Sequence, residues 1–327
     1  MNLIQIAWTS ARNSVKSTNA AAFEPFPAFC YFWSMRGIPR FLTITTLLLS
    51  LCLPASAQIT AMWPQYLFNH QSVNPAYSAI GERIGFYLHT RNQWAGPSPA
   101  PSMQMLSFHA PVFNNFIGTG VDLTNEKTDS TNRLSFFTDY SYELMMDEDV
   151  RIRLGTNFGI TASRVSGEAQ TLTANFGIGA FIYSDNGYFS LSIPRLMRNN
   201  NANTNPLQAL LQENRHFFFS TGAVFKLTET TRIKPALFYS IPYGHPATMD
   251  LSLSLLLKEK LWLGLLCSPG EKIGFYARQN IISHFRVGVG ADFYKHPLTG
   301  KTAGNFDLFL ARDIDFYKRS KPRKLYF

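Results

Sequence analysis

The chain has 327 residues, of which 46% are hydrophobic and 14% aromatic, and its net charge is +9. Charged residues make up only 16%, below the roughly one quarter that is usual for a soluble domain. The mean hydropathy is near zero, which argues against a bundle of membrane-spanning helices, because those need long apolar runs. Apolar residues dispersed among polar ones are instead typical of a membrane β-barrel.

An apolar stretch from Phe41 to Leu53 is the first informative element of the chain. It is too short for a membrane-spanning helix, which needs roughly 20 residues. Arg36 and Arg40 precede it and small residues follow it up to Ala57, which is the order found in secretory signal peptides. The sequence therefore predicts export.

The signal peptide is predicted to span residues 35–57, with cleavage between Ala57 and Gln58. Because such signals stand at the start of a chain, we interpret residues 1–34 as a mis-assigned upstream extension and Met35 as the true start.

Two of the three cysteines, Cys30 and Cys52, lie in the part predicted to be removed. The remaining cysteine, Cys267, has no partner for an internal disulfide and is interpreted as a small packed hydrophobic residue. Cys52 is not interpreted as a lipid anchor, because such an anchor needs a small residue where Leu51 stands.

Residues 81–314 repeat one pattern, in which segments of about 10 residues have every second residue apolar. Between Arg151 and Ile160, one face carries Ile152, Leu154, Thr156, Phe158 and Ile160, and the other carries Arg151, Arg153, Gly155, Asn157 and Gly159. Alternate side chains point to opposite faces of a strand, so the first set is expected to meet lipid and the second a polar interior. The pattern predicts an all-β fold, a transmembrane antiparallel β-barrel of about 14 strands.

The predicted strand centres lie near residues 87, 106, 120, 138, 156, 177, 191, 222, 236, 253, 264, 275, 289 and 309. Asp185-Asn186-Gly187 and Ser268-Pro269-Gly270 between them are typical of short hairpin turns. The connection from Arg198 to Arg215 is longer and polar, and it would be extracellular if the chain termini are periplasmic.

Residues 315–327 form a basic-aromatic tail, which we interpret as facing solvent or lipid headgroups and not nucleic acid.

Two motif blocks follow the predicted cleavage site. The first reads Gln65-Tyr66-Leu67-Phe68-Asn69 and then Asn74-Pro75-Ala76-Tyr77. The second reads Arg91-Asn92-Gln93-Trp94-Ala95-Gly96, then Ala100-Pro101, then Ser107-Phe108-His109-Ala110-Pro111. Together these blocks resemble the signature of the PorP/SprF family of type IX secretion system membrane proteins.

This resemblance implies a non-enzymatic component of the outer membrane that assists secretion or surface attachment of cargo, including gliding-adhesin cargo. The implied partners are the type IX C-terminal domain of the cargo, the core components of the secretion system, a periplasmic peptidoglycan-associated lipoprotein and outer-membrane lipid. The residue spacing of the sequence itself predicts no cofactor and no metal.

The first motif block lies in residues 58–80, which are predicted to form a short plug or collar. Asn74-Pro75 favours a turn, and Tyr66, Phe68 and Tyr77 supply large amphipathic rings. Two roles are possible for this segment: it closes the barrel end, or it forms a docking surface for a partner. Arg91 and Trp94 stand near the end of the first strand, where Trp94 is expected to anchor the barrel at the membrane interface, with a binding role as the alternative.

The candidate pairs for a catalytic role are Ser107 with His109 and Ser283 with His284. Neither pair has an identifiable third group to orient the base, and no spacing in the sequence resembles a metal site. The sequence therefore predicts no enzymatic activity.

Two other functions are compatible with alternating strands. A porin or hydrophobic-solute channel would need an open lumen, whereas the inward positions here include many Gly, Ser and Asn residues and some large rings, which favour a narrow or plugged barrel. A secreted soluble β-sandwich is disfavoured by the low charge content.

Overall fold

The alternating segments form antiparallel strands that join in chain order into one closed sheet in the computed structural model. The structure describes residues 64–93, 101–112, 116–128, 130–145, 149–197, 215–243, 246–282, 285–295, 302–315 and 325. All of them belong to Pro54–Phe327, one of the two units into which the chain divides. The predicted signal peptide, Trp94 and Gly96 lie outside the described residues.

The strands are β1 (Arg83–Gln93), β2 (Ser102–Val112), β3 (Ile117–Lys127), β4 (Thr131–Met145), β5 (Arg151–Val165), β6 (Thr171–Ser184), β7 (Gly187–Ile193), β8 (His216–Ala223), β9 (Phe225–Lys226), β10 (Thr231–Pro242), β11 (Thr248–Leu257), β12 (Leu261–Ser268), β13 (Lys272–Ile282), β14 (Phe285–Lys295) and β15 (Thr302–Asp315). Both β8 and β9 pair with β10, so they are two parts of one barrel strand, interrupted at Val224. The barrel therefore has 14 strands, which confirms the prediction.

Closure comes from the pairing of the first strand with the last. β1 pairs along its length with β15 on one side and with β2 on the other. Each predicted strand centre falls inside one of these strands. A closed sheet has no free edge, so every strand finds partners for its backbone groups, as the interior of a bilayer requires.

Between residue 64, where the described part begins, and β1 lie four short 3-10 helices: Pro64–Leu67, His70–Ser72, Pro75–Tyr77 and Ile80–Glu82. Within the described part of the chain, no helix is both long enough and apolar enough to span a membrane.

Side chains alternate between the two faces of the barrel wall as the sequence predicts. On β5, Phe158 and Ile160 point outward and are each 53% exposed, whereas Arg153 points inward and is fully buried. The outer face carries a belt of exposed Phe, Leu, Ile and Tyr side chains on most strands. An apolar exterior around a polar interior is the arrangement of a barrel in lipid.

The two ends of the barrel differ in their connections. We call the end at which β1 begins and β15 ends the near mouth, and the opposite end the far mouth. At the near mouth, β6 and β7 are joined by Asp185 and Asn186 alone. The longest connection, residues 194–215 between β7 and β8, lies at the far mouth.

Replacing an outward residue at mid-strand by a cation tests whether the outer face meets lipid. We expect Phe158→Lys to lower the free energy of unfolding in phospholipid vesicles by about 2–4 kcal/mol, because lysine at mid-bilayer is poorly solvated. Ser166→Lys, in the exposed turn after β5, is the matched control and should change little. Equal, small effects of both substitutions on urea unfolding would mean that the outer face is in water.

Candidate functional site

Residues 64–82, here called the N-terminal segment, lie among the inward-facing side chains of the barrel. Most of the segment is buried, including the polar residues Asn69 at 2% exposure and Asn74 at 0%. Burial of so many amide and hydroxyl groups is tolerated only if they are hydrogen-bonded. The partners of this segment therefore define what fills the lumen.

The segment runs along the barrel axis from the far half of the lumen to the near mouth. Tyr66 donates a 2.6 Å hydrogen bond to Asp250, the third residue of β11, a strand that begins at the far mouth. At the other end of the segment, Glu82 precedes β1 and lies 3.4 Å from Arg151, the first residue of β5. Leu325, the described residue of the C-terminal tail, packs against a buried cluster to which the segment contributes Ala76, Tyr77 and Ile80.

Asn74 is the central anchor of the segment. Its Oδ1 accepts from the backbone N–H of Ala76 at 2.9 Å, which caps the 3-10 helix Pro75–Tyr77. Its Nδ2 donates to Ser190 Oγ at 2.7 Å, to the carbonyl of Ala180 at 3.0 Å and to that of Leu191 at 3.3 Å. One side chain thus shapes the turn and attaches it to β6 and β7.

A second attachment point joins the segment to a nearby part of the wall, on the other side of β5. Gln71 Nε2 donates to Asp139 at 2.9 Å and to Asp122 at 3.1 Å. Ser107 donates to Asp122, and Asn69 Nδ2 donates to Ser107 Oγ at 2.8 Å. Strands β2, β3 and β4 are thereby connected to one short stretch of the segment.

The backbone of Ala79 is held by two wall side chains. The Ala79 N–H donates to His109 Nδ1 at 2.7 Å, which places the ring proton of His109 on Nε2, 3.3 Å from the Tyr87 hydroxyl. The Ala79 carbonyl accepts from Arg153 at 3.3 Å. Ala79 has a positive φ of 60°, a backbone conformation unfavourable for alanine, so these contacts stabilise the turn that leads into β1.

Aromatic packing and glycines complete the fit between segment and wall. Tyr66 stacks on Phe238 with ring centroids 3.9 Å apart, and Phe68 packs on Phe309 at 5.0 Å. At Gly155 an added Cβ would lie 2.3 Å from the Ala76 nitrogen. This inward glycine therefore leaves the space that the backbone of the segment occupies.

Ion pairs satisfy most charged groups of the lumen. Arg91 bonds Asp307 at 2.6 Å and also pairs with Asp292. Glu143 accepts from Arg151 at 2.5 Å and from Arg153 at 2.8 Å.

The structure brings most of the predicted motif residues to the lumen. Tyr66, Phe68, Asn69, Asn74, Pro75, Ala76 and Tyr77 lie in the segment, and Arg91, His109 and Pro111 are buried on β1 and β2. Pro101 is half-buried just before β2. Gln65 belongs to the first 3-10 helix and Gln93 ends β1, but the side chains of both lie outside the described residues, as do Ala57 and Gln58. Their roles stay predictions.

Sequence reasoning did not identify the acidic wall residues as the acceptors of these bonds. They are Asp122, Asp139, Glu143, Asp250, Asp292 and Asp307. Each stands at an inward position of the alternation, so strand parity was the signal that could have found them. Ser107 and His109 both bond the segment, which gives them structural roles, and Ser283 and His284 lie outside the described residues. Among the described residues, no group of His, Cys, Asp and Glu is arranged to hold a metal ion.

A closed 14-strand barrel with an apolar exterior and a polar, occupied lumen defines an outer-membrane β-barrel protein. The chain matches the model of the type IX secretion system membrane protein PorP/SprF over residues 55–311, and it belongs to that family. The resemblance of its motifs is thereby confirmed. No protein of curated function matches the chain significantly.

Solved structures with a similar fold are distant. The outer membrane protein Omp33 of Acinetobacter baumannii is 12% identical, with 72% of this chain and 100% of that chain covered and a TM-score of 0.45. The toluene transporter TodX of Pseudomonas putida is 8% identical, with 80% and 95% covered and a TM-score of 0.47. A FadL homologue of Pseudomonas aeruginosa is 10% identical, with 78% and 94% covered and a TM-score of 0.47. Similarity at this level carries no conclusion about function.

Removing the amide of Asn74 should loosen the segment. We expect Asn74→Ala to destabilise its packing by about 2 kcal/mol, because the Ala76 N–H and the Ser190 hydroxyl lose a buried partner. Limited proteolysis in micelles should then cleave within residues 64–82 faster than in the wild type. Asn186→Ala, in the exposed turn between β6 and β7, is the control, and equal cleavage rates in all three proteins would contradict the anchoring role.

The packing of the N-terminal segment should also become less stable in acid. Burial, and then the positive charges of Lys234 and Arg278, lower the pKa of His70 from 6.5 to about 3. The unfolded chain therefore binds more protons between these two values, so stability is full above pH 6.5 and falls as the pH drops towards 3. In urea unfolding, the free energy of unfolding of His70→Leu should fall less steeply over this pH range than that of the wild type. Parallel pH profiles would rule out His70 as a source of the acid sensitivity.

Proposed function

We propose that this chain is a non-enzymatic accessory of type IX secretion, which assists the secretion or surface attachment of cargo bearing a type IX C-terminal domain, including gliding-adhesin cargo. Family membership supports a role in this secretion system. The observation that carries the adaptor role, as opposed to a pore, is the N-terminal segment bonded to the wall of the lumen.

The distribution of the bonds favours a permanent plug. Asn74 attaches the segment to β6 and β7, Gln71 to β3 and β4, and Tyr66 to β11. Moving the segment out of the lumen would break all three attachments and replace them by bonds to water, at a net cost of about 0.5–1.5 kcal/mol for each hydrogen bond. A porin or hydrophobic-solute channel would require such a movement, so the attachments disfavour that function. It is the alternative to the adaptor role.

An occupied lumen leaves the two rims as the places for partners. The longest connection, at the far mouth, fits the extracellular side, because longer loops of such barrels face outward. We infer that cargo docks at the far mouth. Core components of the secretion system and a peptidoglycan-associated lipoprotein would then meet the short turns and the C-terminal tail at the near mouth. Export would use the signal peptide of residues 35–57.

The absence of catalysis is also part of the proposal. Ser107 donates to Asp122, and His109 Nδ1 accepts from the Ala79 N–H. A nucleophile and its base need a shared hydrogen bond and an approach for substrate. Both side chains are instead bonded to the wall and to the segment and are buried, at 0% and 1% exposure.

Partner capture tests the adaptor role. We expect a tagged barrel, solubilised from outer membranes, to retain a surface protein through its C-terminal domain or to retain core components of the secretion system, as identified by mass spectrometry. An untagged strain controls for adventitious binding. Recovery of a solitary barrel, repeated after mild cross-linking, would count against the proposal.

Conductance tests whether the lumen is closed. In planar bilayers we expect wild type to be nearly non-conducting and Gly155→Ala to conduct, because the new Cβ would collide with the backbone of Ala76 at 2.3 Å. Gly304→Ala is the control, since its Cβ would meet the Phe293 ring, a side chain of the outer face, at 3.3 Å and the Asp292 carbonyl at an ordinary 3.8 Å. Heat-modifiable migration on gels verifies that each barrel is folded. Wild-type conductance as large as that of Gly155→Ala would favour the channel.

A further inference from the structure

Inward-facing cations of the barrel are, with few exceptions, paired with carboxylates. Ion pairs with Asp or Glu are formed by Arg91, Arg151, Arg153, Arg232, Lys272 and Arg286. Lys234 on β10 and Arg278 on β13 differ, because no described Asp or Glu forms an ion pair or a hydrogen bond with either.

Both of these cations lie against one aromatic ring. Lys234 Nζ is 5.3 Å and Arg278 Cζ is 5.5 Å from the centroid of Trp262 on β12. Trp262 is 4% exposed and Lys234 is 8% exposed. The Arg278 Nε is buried and has no hydrogen-bond partner in the described structure. A ring face attracts a cation but does not neutralise its charge.

The carboxylates nearest in the fold are already engaged. Glu259 bonds Arg232 at 2.8 Å, and Asp313 bonds Arg286 at 2.7 Å. Asp250 pairs in register with Phe238, four residues beyond Lys234 on β10, which is roughly 13 Å along a strand. It already accepts from Tyr66 and pairs with Lys272.

His70 of the N-terminal segment also has an unpaired nitrogen. It is 6% exposed, and its Nδ1 is buried without a hydrogen-bond partner in the described structure. Its ring packs against Tyr77, Phe181 and Tyr188, so the two cations and Trp262 alone define the site.

We propose that Lys234 and Arg278, which both lie over the ring of Trp262, form an oxyanion-binding site inside the barrel. A buried cation without a counter-charge is unfavourable, and an oxyanion would neutralise both cations and supply acceptors for the Arg278 Nε. The guanidinium offers a planar fork of donors, and the ammonium adds a point charge, a combination suited to carboxylate or phosphate.

The site belongs to the near half of the lumen. Lys234 is the fourth residue of β10, which begins at the near mouth, and Trp262 is the second residue of β12. The far half is occupied by the start of the N-terminal segment. The ligand would be either a free inorganic phosphate or a carboxylate carried on a polypeptide.

Thermal unfolding of the full chain in micelles tests this site. Inorganic phosphate and acetate are each titrated against chloride at matched ionic strength, so that general screening is subtracted. We expect a saturable rise in Tm with at least one of the two anions. A response to phosphate alone identifies a free phosphate ligand, and a response to acetate identifies a carboxylate.

Variants separate binding from packing. Lys234→Met and Arg278→Met should each weaken the anion affinity by about tenfold or more, while Lys234→Arg should keep it. Without added anion, Lys234→Met should unfold at the same temperature as wild type or higher, because it removes an uncompensated charge. Lys260→Met, in the exposed turn before β12, is the matched control. The proposal is overturned if wild type shows no saturable shift, or if Lys234→Met responds to the anions as wild type does.

Discussion

A polypeptide segment inside a barrel has lost most of its water, so each of its polar groups needs a partner on the wall. The N-terminal segment meets this requirement through side chains of the barrel, chiefly those that bond Asn74, Gln71 and Ala79. The wall also needs the segment. Asp122, Asp139 and Arg153 of the wall are buried as well, and the segment supplies some of their hydrogen bonds. Wall and segment are therefore complementary halves of one core.

The same constraint explains the composition of the lumen. Inward glycines such as Gly155 and Gly179 stand where the backbone or the Asn74 side chain of the segment comes close. Many Arg side chains of the lumen are paired with Asp or Glu, which favours placing ions in a low-dielectric interior. Asp122 and Asp139 are bonded instead by the neutral donors Gln71, Ser78 and Ser107. Lys234 and Arg278 form no ion pair with a described carboxylate, which distinguishes them from the paired cations.

Much of the barrel was predictable because alternation is a local property. Strand positions followed from every second residue being apolar, and the hairpin at Asp185-Asn186-Gly187 followed from turn chemistry. Arg91 was expected near the membrane interface, yet Phe86 and Leu88 point outward on the same strand. Because side chains alternate along a strand, Arg91 points into the lumen, where it pairs with aspartates from β14 and β15.

Other features of the site depend on residues distant in sequence. The turn at Asn74-Pro75 was recognisable, but its partner Ser190 is 116 residues away and Asp250 is 184 residues from Tyr66. Such pairings arise only when the sheet closes and fixes which walls face the segment. No periodicity in the sequence carries that information, so the choice between plug and docking surface could not be made from the sequence.

Hydrogen–deuterium exchange of the barrel in lipid nanodiscs tests most directly whether the N-terminal segment is a fixed part of the lumen. We predict that the amides of Val73, Tyr77 and Ala79, which bond to His70, Asn74 and His109, exchange as slowly as those of β4 and β5. Exchange of these amides within seconds, while the strands remain protected, would show that the segment leaves the lumen freely and would contradict a plugged barrel.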